Sequence, residues 1–239
     1  MTHSSPHLRI PHLRVIDLGT LAYAPAWEKQ KQVHDELLNN PDTPPTLLLV
    51  EHDPVITISQ RKAAPEHLLA SQDHLASMGI TTHATDRGGD ITYHGPGQLV
   101  AYPILRLTDY KLNVGRYMRL LENIVIQTLA HFDIPAHTDA ANTGVWVKPN
   151  PNTPASKICA MGVRVKRNIT LHGLALNVTT NLAHFATIVP CGLSDRSVTS
   201  MQQVLENEGR SVPLMDEVKN KLVMTFNEML PVIGTCDTL

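Results

Sequence analysis

Three stretches of this chain combine backbone-shaping residues with side chains that can do chemistry. The first is Arg87-Gly88-Gly89-Asp90-Ile91-Thr92-Tyr93-His94-Gly95-Pro96-Gly97-Gln98. Its glycines let the backbone come close to a ligand or take positive φ, and Arg87, Tyr93 and His94 set directed polar groups beside that backbone. No Gly-Lys-Ser/Thr closes the run, so it is neither a Walker loop nor a dinucleotide fingerprint. On pattern alone it reads equally as a tight hairpin with ordinary turn glycines. The second stretch is Pro190-Cys191-Gly192, a thiol on a turn, followed by the polar Ser194, Asp195, Arg196, Ser197 and Thr199. Polar surroundings suit a reactive thiol, whereas most free cysteines are small buried hydrophobes; both readings stand here.

The third stretch runs from Ser156 to Arg167 and is opened by Lys157. In strand geometry Arg164 and Lys166 share the face opposite Val163 and Val165. A lysine next to Cys191 in space would favour the thiolate. At an ordinary thiol pKa only about 3% is ionised at neutral pH. A drop of about 1.5 units, some 2 kcal/mol, would make half of it nucleophilic. A solvated strand end is the competing reading of Lys157, and spacing alone does not bring positions 157 and 191 together. Cys159 sits in an apolar alternation and reads as packing, and Cys236 falls in the frayed last residues.

Elements that could position these groups follow from periodicity. Residues 13–18, 46–50, 55–59 and 81–85 read as strands, with Asp53-Pro54 turning between the second and third. Residues 23–38 read as a polar-faced helix and 66–78 as one or two short helices. Extended segments at 91–93 and 98–105 flank His94-Gly95-Pro96-Gly97. Asn113 caps a helix whose buried stripe is Val114, Tyr117, Leu121, Ile124, Val125, Thr128 and Phe132. Residues 144–148, 158–165 and 170–178 read as strands, and 149–154 as an inserted loop. A last helix begins with Pro213 at its first position and buries Leu214, Val218, Leu222, Phe226 and Met229. Strands cluster between helices without strict alternation, which predicts an α/β fold of the α+β type: a mixed β-sheet with flanking helices.

With 239 residues, 42% of them hydrophobic, the chain buries enough surface for one sizeable core. The expectation is a single catalytic domain over 1–239 with a flexible start at 1–11. A formal charge of −2 lacks the basic excess of a nucleic-acid binder. No apolar run suits a membrane span, and 1–11 lacks the apolar centre of a secretory signal. Three cysteines are too few for a disulfide scaffold, which points to a reducing cytoplasm. The thirteen histidines show no His-Glu-x-x-His spacing, so no metal is expected.

Taken together the segments resemble the octanoyltransferases of lipoate biosynthesis, also called lipoate–protein ligase B. Their superfamily includes lipoate ligase A and biotin protein ligase catalytic domains. The likeness is carried by Arg87 to Gln98, by Thr143-Gly144-Val145-Trp146-Val147 and by Lys157-Ile158-x-Ala160-x-Gly162-Val163-Arg164-Val165. It continues through Thr170-x-His172-Gly173-Leu174-Ala175-Leu176-Asn177-Val178, Ile188-Val189-Pro190-Cys191-Gly192 and Val198-Thr199-Ser200. It spans roughly 45–205 in consistent order, which is more specific than any one motif. Ser59 stands where such sequences often have glycine, Cys159 replaces a small residue, and the loop at 149–154 is long.

The resemblance implies that Cys191 takes the acyl group as a thioester and that Lys157 lowers its pKa and assists proton transfer. It also implies that Arg87, Gly88, Gly89, Asp90, Ile91, Thr92, Tyr93 and His94, with Ala160, Met161, Gly162, Gly173, Leu174 and Ala175, wall the substrate pocket. The expected donor is octanoyl-acyl carrier protein. The expected acceptors are lipoyl domains of 2-oxoacid dehydrogenase complexes and the glycine cleavage H protein. No cofactor, nucleic acid or membrane is called for. Further expectations are a chain slot lined by Leu174 and Leu176, an oxyanion bound by N–H groups near Gly192 and the Gly88 to Gly97 turns, and His94 as a weaker base than Lys157. Arg164, Lys166 and Arg167 would face the acidic carrier. The competing readings are an ATP-dependent lipoate or biotin ligase, a non-catalytic module binding acylated domains, and a cysteine protease.

Overall fold

The computed structural model describes residues 12–148, 154–189 and 197–235, the last five by backbone alone. The proposed nucleophile Cys191, the loop at 149–153, the start at 1–11 and Cys236 lie outside the described residues.

Seven strands form one mixed sheet in the order β1 (Arg14–Thr20), β2 (Thr46–Glu51), β6 (Gln98–Ile104), β10 (Ile169–Asn177), β9 (Ser156–Lys166), β8 (Val145–Val147) and β7 (Ala136–Thr138). Only β1 and β2 run parallel within it. A smaller sheet orders β4 (Thr81–Ala84), β3 (Val55–Ile58) and β5 (Thr92–His94). The two central strands, β6 and β10, are buried along their whole length, as expected where both sheet faces are covered. Helix α1 (Tyr23–Asn39) packs Val33 and Leu37 on one face. Helices α3 (Val114–Ala130) and α5 (Met215–Thr235), with the short α4 (Met201–Asn207), cover the other. The small sheet and α2 (Gln72–Ser77) form a third apolar cluster around Ile56, Leu75 and Tyr93. No helix among the described residues is long and apolar enough to cross a membrane.

Helix starts show where periodicity misreads an end. Asn113 Oδ1 accepts the Arg116 N–H at 2.9 Å, the cap expected for α3. Val114, however, is 48% exposed, and the buried stripe of α3 begins at Tyr117. At α5 the cap is Leu214: its N–H is taken by the Glu217 carboxylate at 2.8 Å. This is the backbone half of a capping box. Pro213 therefore lies before the helix, and Leu214 is 72% exposed instead of lining the buried face. Val218, Leu222 and Phe226 are buried as the spacing predicts. The helix α4 and strand β7 were not read from the sequence; both are short.

Candidate active site

Strand β8 covers only the first part of β9, since its register ends at Cys159. From Ala160 onward the outer edge of β9 is open to another segment, and the glycine-rich stretch fills it. Gly88 donates its N–H to Val163 O at 2.9 Å. A Cβ on Gly162 would stand 2.5 Å from Gly88 O, so only glycine permits this approach. Arg87 braces the loop from behind, donating to Thr57 O at 2.8 Å and Thr57 Oγ1 at 2.9 Å. Ser59, the departure from glycine, donates its hydroxyl to Gly89 O at 3.0 Å and so supports the same turn.

A cleft opens between this loop and the large sheet. Twelve of the fourteen residues expected to wall a pocket do so: Arg87, Gly89, Asp90, Ile91, Thr92 and His94 on one side, and Ala160, Met161, Gly162, Gly173, Leu174 and Ala175 on the other. Gly88 and Tyr93 do not. Gly88 is spent on the β9 backbone, and strand alternation turns Tyr93 away from Thr92 and His94. The Tyr93 hydroxyl instead meets His184 Nδ1 at 2.7 Å. Leu176 is likewise in the core, packed with Leu99 and Cys159, and takes no part in the cleft.

Tyr23, Val100, Tyr102 and His172 also line the cleft and were missed. Tyr23 comes from the start of α1, far outside any motif. His172 lies within the Thr170 to Val178 stretch, and its positive φ of 59° has no sequence signature. These residues make the floor more polar than an aliphatic slot. His52 donates Nδ1–H to Leu21 O at 2.7 Å, so its Nε2 accepts from the Tyr102 hydroxyl at 2.6 Å. Burial, the largest cause in each case, pushes His52 down to about 4 and both His94 and His172 down to about 3. A histidine held this low is neutral at pH 7 and a poor proton acceptor, weaker still than the secondary base expected at His94.

Lys157 is buried, with Nζ 4.8 Å from the centre of the Trp146 ring. Gly144, at φ +124°, packs against the lysine stem: a Cβ there would stand 3.3 Å from Lys157 Cε and 2.6 Å from Cys159 O. The buried Glu122 carboxylate fixes that turn by accepting the Gly144 N–H at 3.1 Å. Across its own backbone Lys157 pairs with the chain just after Cys191. Lys157 N–H donates to Ser197 O at 2.9 Å and Thr199 N–H donates to Lys157 O at 3.0 Å. On the other side of position 191, Val189 N–H donates to His67 O at 2.8 Å, and His67 Nδ1 meets the cleft residue Asp90 at 2.9 Å.

Two other expectations change. The Gly97 N–H is bound by Glu51 Oε2 at 2.9 Å, so it and the Gly88 N–H are committed and neither holds an oxyanion. Arg164 is ion-paired with Asp86, which also meets His172 Nε2 at 2.7 Å. Burial raises Cys159 to about 12, consistent with packing.

The fold is that of the lipoate and biotin protein ligase catalytic domains. A chain of the bipartite lipoate protein ligase structure from Thermoplasma acidophilum superposes with a TM-score of 0.65 at 19% identity, covering 92% of this chain and 84% of that one. Biotin protein ligase from Aquifex aeolicus gives 0.51 at 12% identity, over 94% and 71%. Residues 22–227 match the lipoyl protein ligase A/B catalytic domain. An octanoyltransferase of Chloroflexus aurantiacus is 45% identical over 218 residues, 91% of this chain and 93% of its own length. The chain belongs to this family, on its octanoyltransferase branch, whose members are acyltransferases.

Proposed function

We propose that this protein carries an octanoyl group from octanoyl-acyl carrier protein to the acceptor lysine of lipoyl domains, by way of a thioester on Cys191. The acceptors are the lipoyl domains of 2-oxoacid dehydrogenase complexes and the glycine cleavage H protein, and the compartment is the cytoplasm. In the first step the Cys191 thiolate attacks the carrier thioester; the new carbon–sulfur bond replaces the old one and the carrier leaves as its thiolate. In the second, the neutral ε-amine of the acceptor lysine attacks, the amine proton is lost and Cys191 departs. Thioester exchange is close to balanced and amide formation runs downhill, so no ATP is consumed.

The backbone pairing of Lys157 with Ser197 and Thr199 supports this reading most directly. It ties the lysine to the chain six residues after Cys191, while the cleft rim begins three residues along the same strand at Ala160, about 10 Å away. A lysine held there is suited to stabilising a thiolate and to relaying the acceptor's proton. The neutral, feebly basic His94 supports assigning the base role to Lys157 alone.

The competing chemistry, activation of a free acid by ATP, separates cleanly in one assay. The purified protein is given a lipoyl domain and either octanoyl-acyl carrier protein alone or free octanoate with ATP and magnesium. Acylated lipoyl domain is expected only from the first mixture. Product from the second alone would make the protein a ligase.

A further inference from the structure

The cleft has a more open side and a buried one. Ala160, Met161 and Gly162 at the rim are partly exposed, whereas His94, Tyr102, His172 and Leu174 at the floor are buried. Among the floor groups His94 has a fixed hydrogen-bonding direction. Thr199 O can only accept, so Asn177 turns its Nδ2 to it at 2.9 Å. Asn177 Oδ1 then accepts from Gln98 Nε2 at 2.9 Å, leaving Gln98 Oε1 to accept from His94 Nδ1–H at 2.7 Å. Tyr93 O, a second acceptor for Gln98 Nε2, locks the amide the same way round. Neutral His94 therefore keeps its lone pair on Nε2. No hydrogen bond to that atom occurs among the described residues, and the side chain that carries it lines the cleft.

We propose that His94 Nε2 is a polar stop at the floor of the cleft: it sets the longest saturated chain the enzyme accepts and receives a chain that ends in a hydroxyl. The inference rests on the acyl reading of the cleft given above. Each methylene buried along the walls is worth about fourfold in binding. A methyl group pressed against Nε2 strips that acceptor of water and returns no hydrogen bond, a loss of about fivefold to a hundredfold. Chain growth therefore gains until the floor is reached and then reverses. A terminal hydroxyl at the same depth donates to Nε2 and avoids the loss.

The test uses the full chain and carrier-protein thioesters of six, eight, ten and twelve carbons, each with a methyl or an ω-hydroxyl end, and reads kcat/KM for transfer to a lipoyl domain. For the wild-type protein, the first saturated length beyond the optimum should be improved about fivefold or more by the ω-hydroxyl. In His94→Leu the ratio of dodecanoyl to octanoyl transfer should rise about tenfold and the hydroxyl preference should vanish. Because both readouts are ratios within one protein, a variant that is merely less stable leaves them unchanged. An ω-hydroxyl that slows transfer at every length, or an unaltered chain ratio in His94→Leu, overturns the inference while leaving the acyl reading intact. If His94→Leu does not fold, the wild-type comparison decides alone. No transfer of any acyl group by the wild-type protein would overturn the acyl reading and this inference with it.

Discussion

In the proposed mechanism Lys157 is the residue on which the chemistry turns, and its surroundings define what its removal should do. With its ammonium over the Trp146 ring and its stem against Gly144, the side chain has little room to wander. Lys157→Ala should slow both enzyme loading and transfer, most strongly below the ordinary thiol pKa of about 8.5, with the deficit shrinking as pH rises. Pre-steady-state loading rates at several pH values check this; wild-type rates at every pH would remove the lysine from the mechanism. Gly162→Ala puts a methyl group into Gly88 O and should cost on the order of 1–3 kcal/mol by overpacking, visible as a lowered denaturation midpoint together with a raised KM for the acyl donor. At the same scale, Cys159 should resist iodoacetamide in the folded protein and react only on unfolding, which peptide mapping of the labelled protein reads out.

Much of the residue-level site was legible because each family segment carries its own glycines and polar groups in order. What escaped depends on contacts across the fold. Gly88 and Gly162 each look like ordinary glycines until the short β8 leaves the β9 edge open for them. His94 read as a second, weaker base than Lys157, but burial and the Gln98–Asn177 amide chain make it a neutral acceptor. Tyr23 reaches the cleft from α1 with no local signal at all.

Elements were legible wherever hydrophobic spacing was long and regular. The centres of α1 and α3 and the central strands follow the predicted segments closely, because burial on one or both faces imposes the period. The start of α5 was not, since its cap is a local hydrogen bond that leaves no periodic trace: Glu217 moves it past Pro213 and leaves Leu214 in solvent. This difference carries an energetic expectation. Phe226→Ala, within the core, should cost about 3–5 kcal/mol, whereas Leu214→Ala should stay within about 0.5 kcal/mol of wild type. Urea denaturation of the two variants measures both, and a comparable loss from Leu214→Ala would contradict the cap assignment.

For the whole molecule, the buried neutral histidines tie stability to pH. His52, His94 and His172 are depressed in the folded state to between about 3 and about 4, below the unfolded value near 6.5. As pH falls from about 6.5, the unfolded chain takes up protons that the native cleft refuses, so the equilibrium shifts toward unfolding until the folded values are reached. Each histidine adds a slope of up to about 1.4 kcal/mol per pH unit in that window. Thermal melts between pH 7 and pH 4 should show a falling Tm, and a flat profile would contradict neutral burial. On the outside, β9 and β10 join through Arg167 and Asn168, both at positive φ, a two-residue hairpin turn with Arg167 at its tip and Lys166 exposed beside it. With Arg164 committed to Asp86, these two cations are what remains of the basic face expected to meet an acidic carrier. Neutralising both should raise KM for the carrier and flatten its salt dependence.

The central claim is that one sulfur, at position 191, bears the acyl group in transit. Intact-protein mass measured after mixing with octanoyl-acyl carrier protein, before any lipoyl domain is added, tests it directly. The account predicts an added octanoyl mass in the wild-type protein and in Cys159→Ala, and none in Cys191→Ala. An adduct that persists in Cys191→Ala, or transfer to a lipoyl domain by that variant at the wild-type rate, would contradict it.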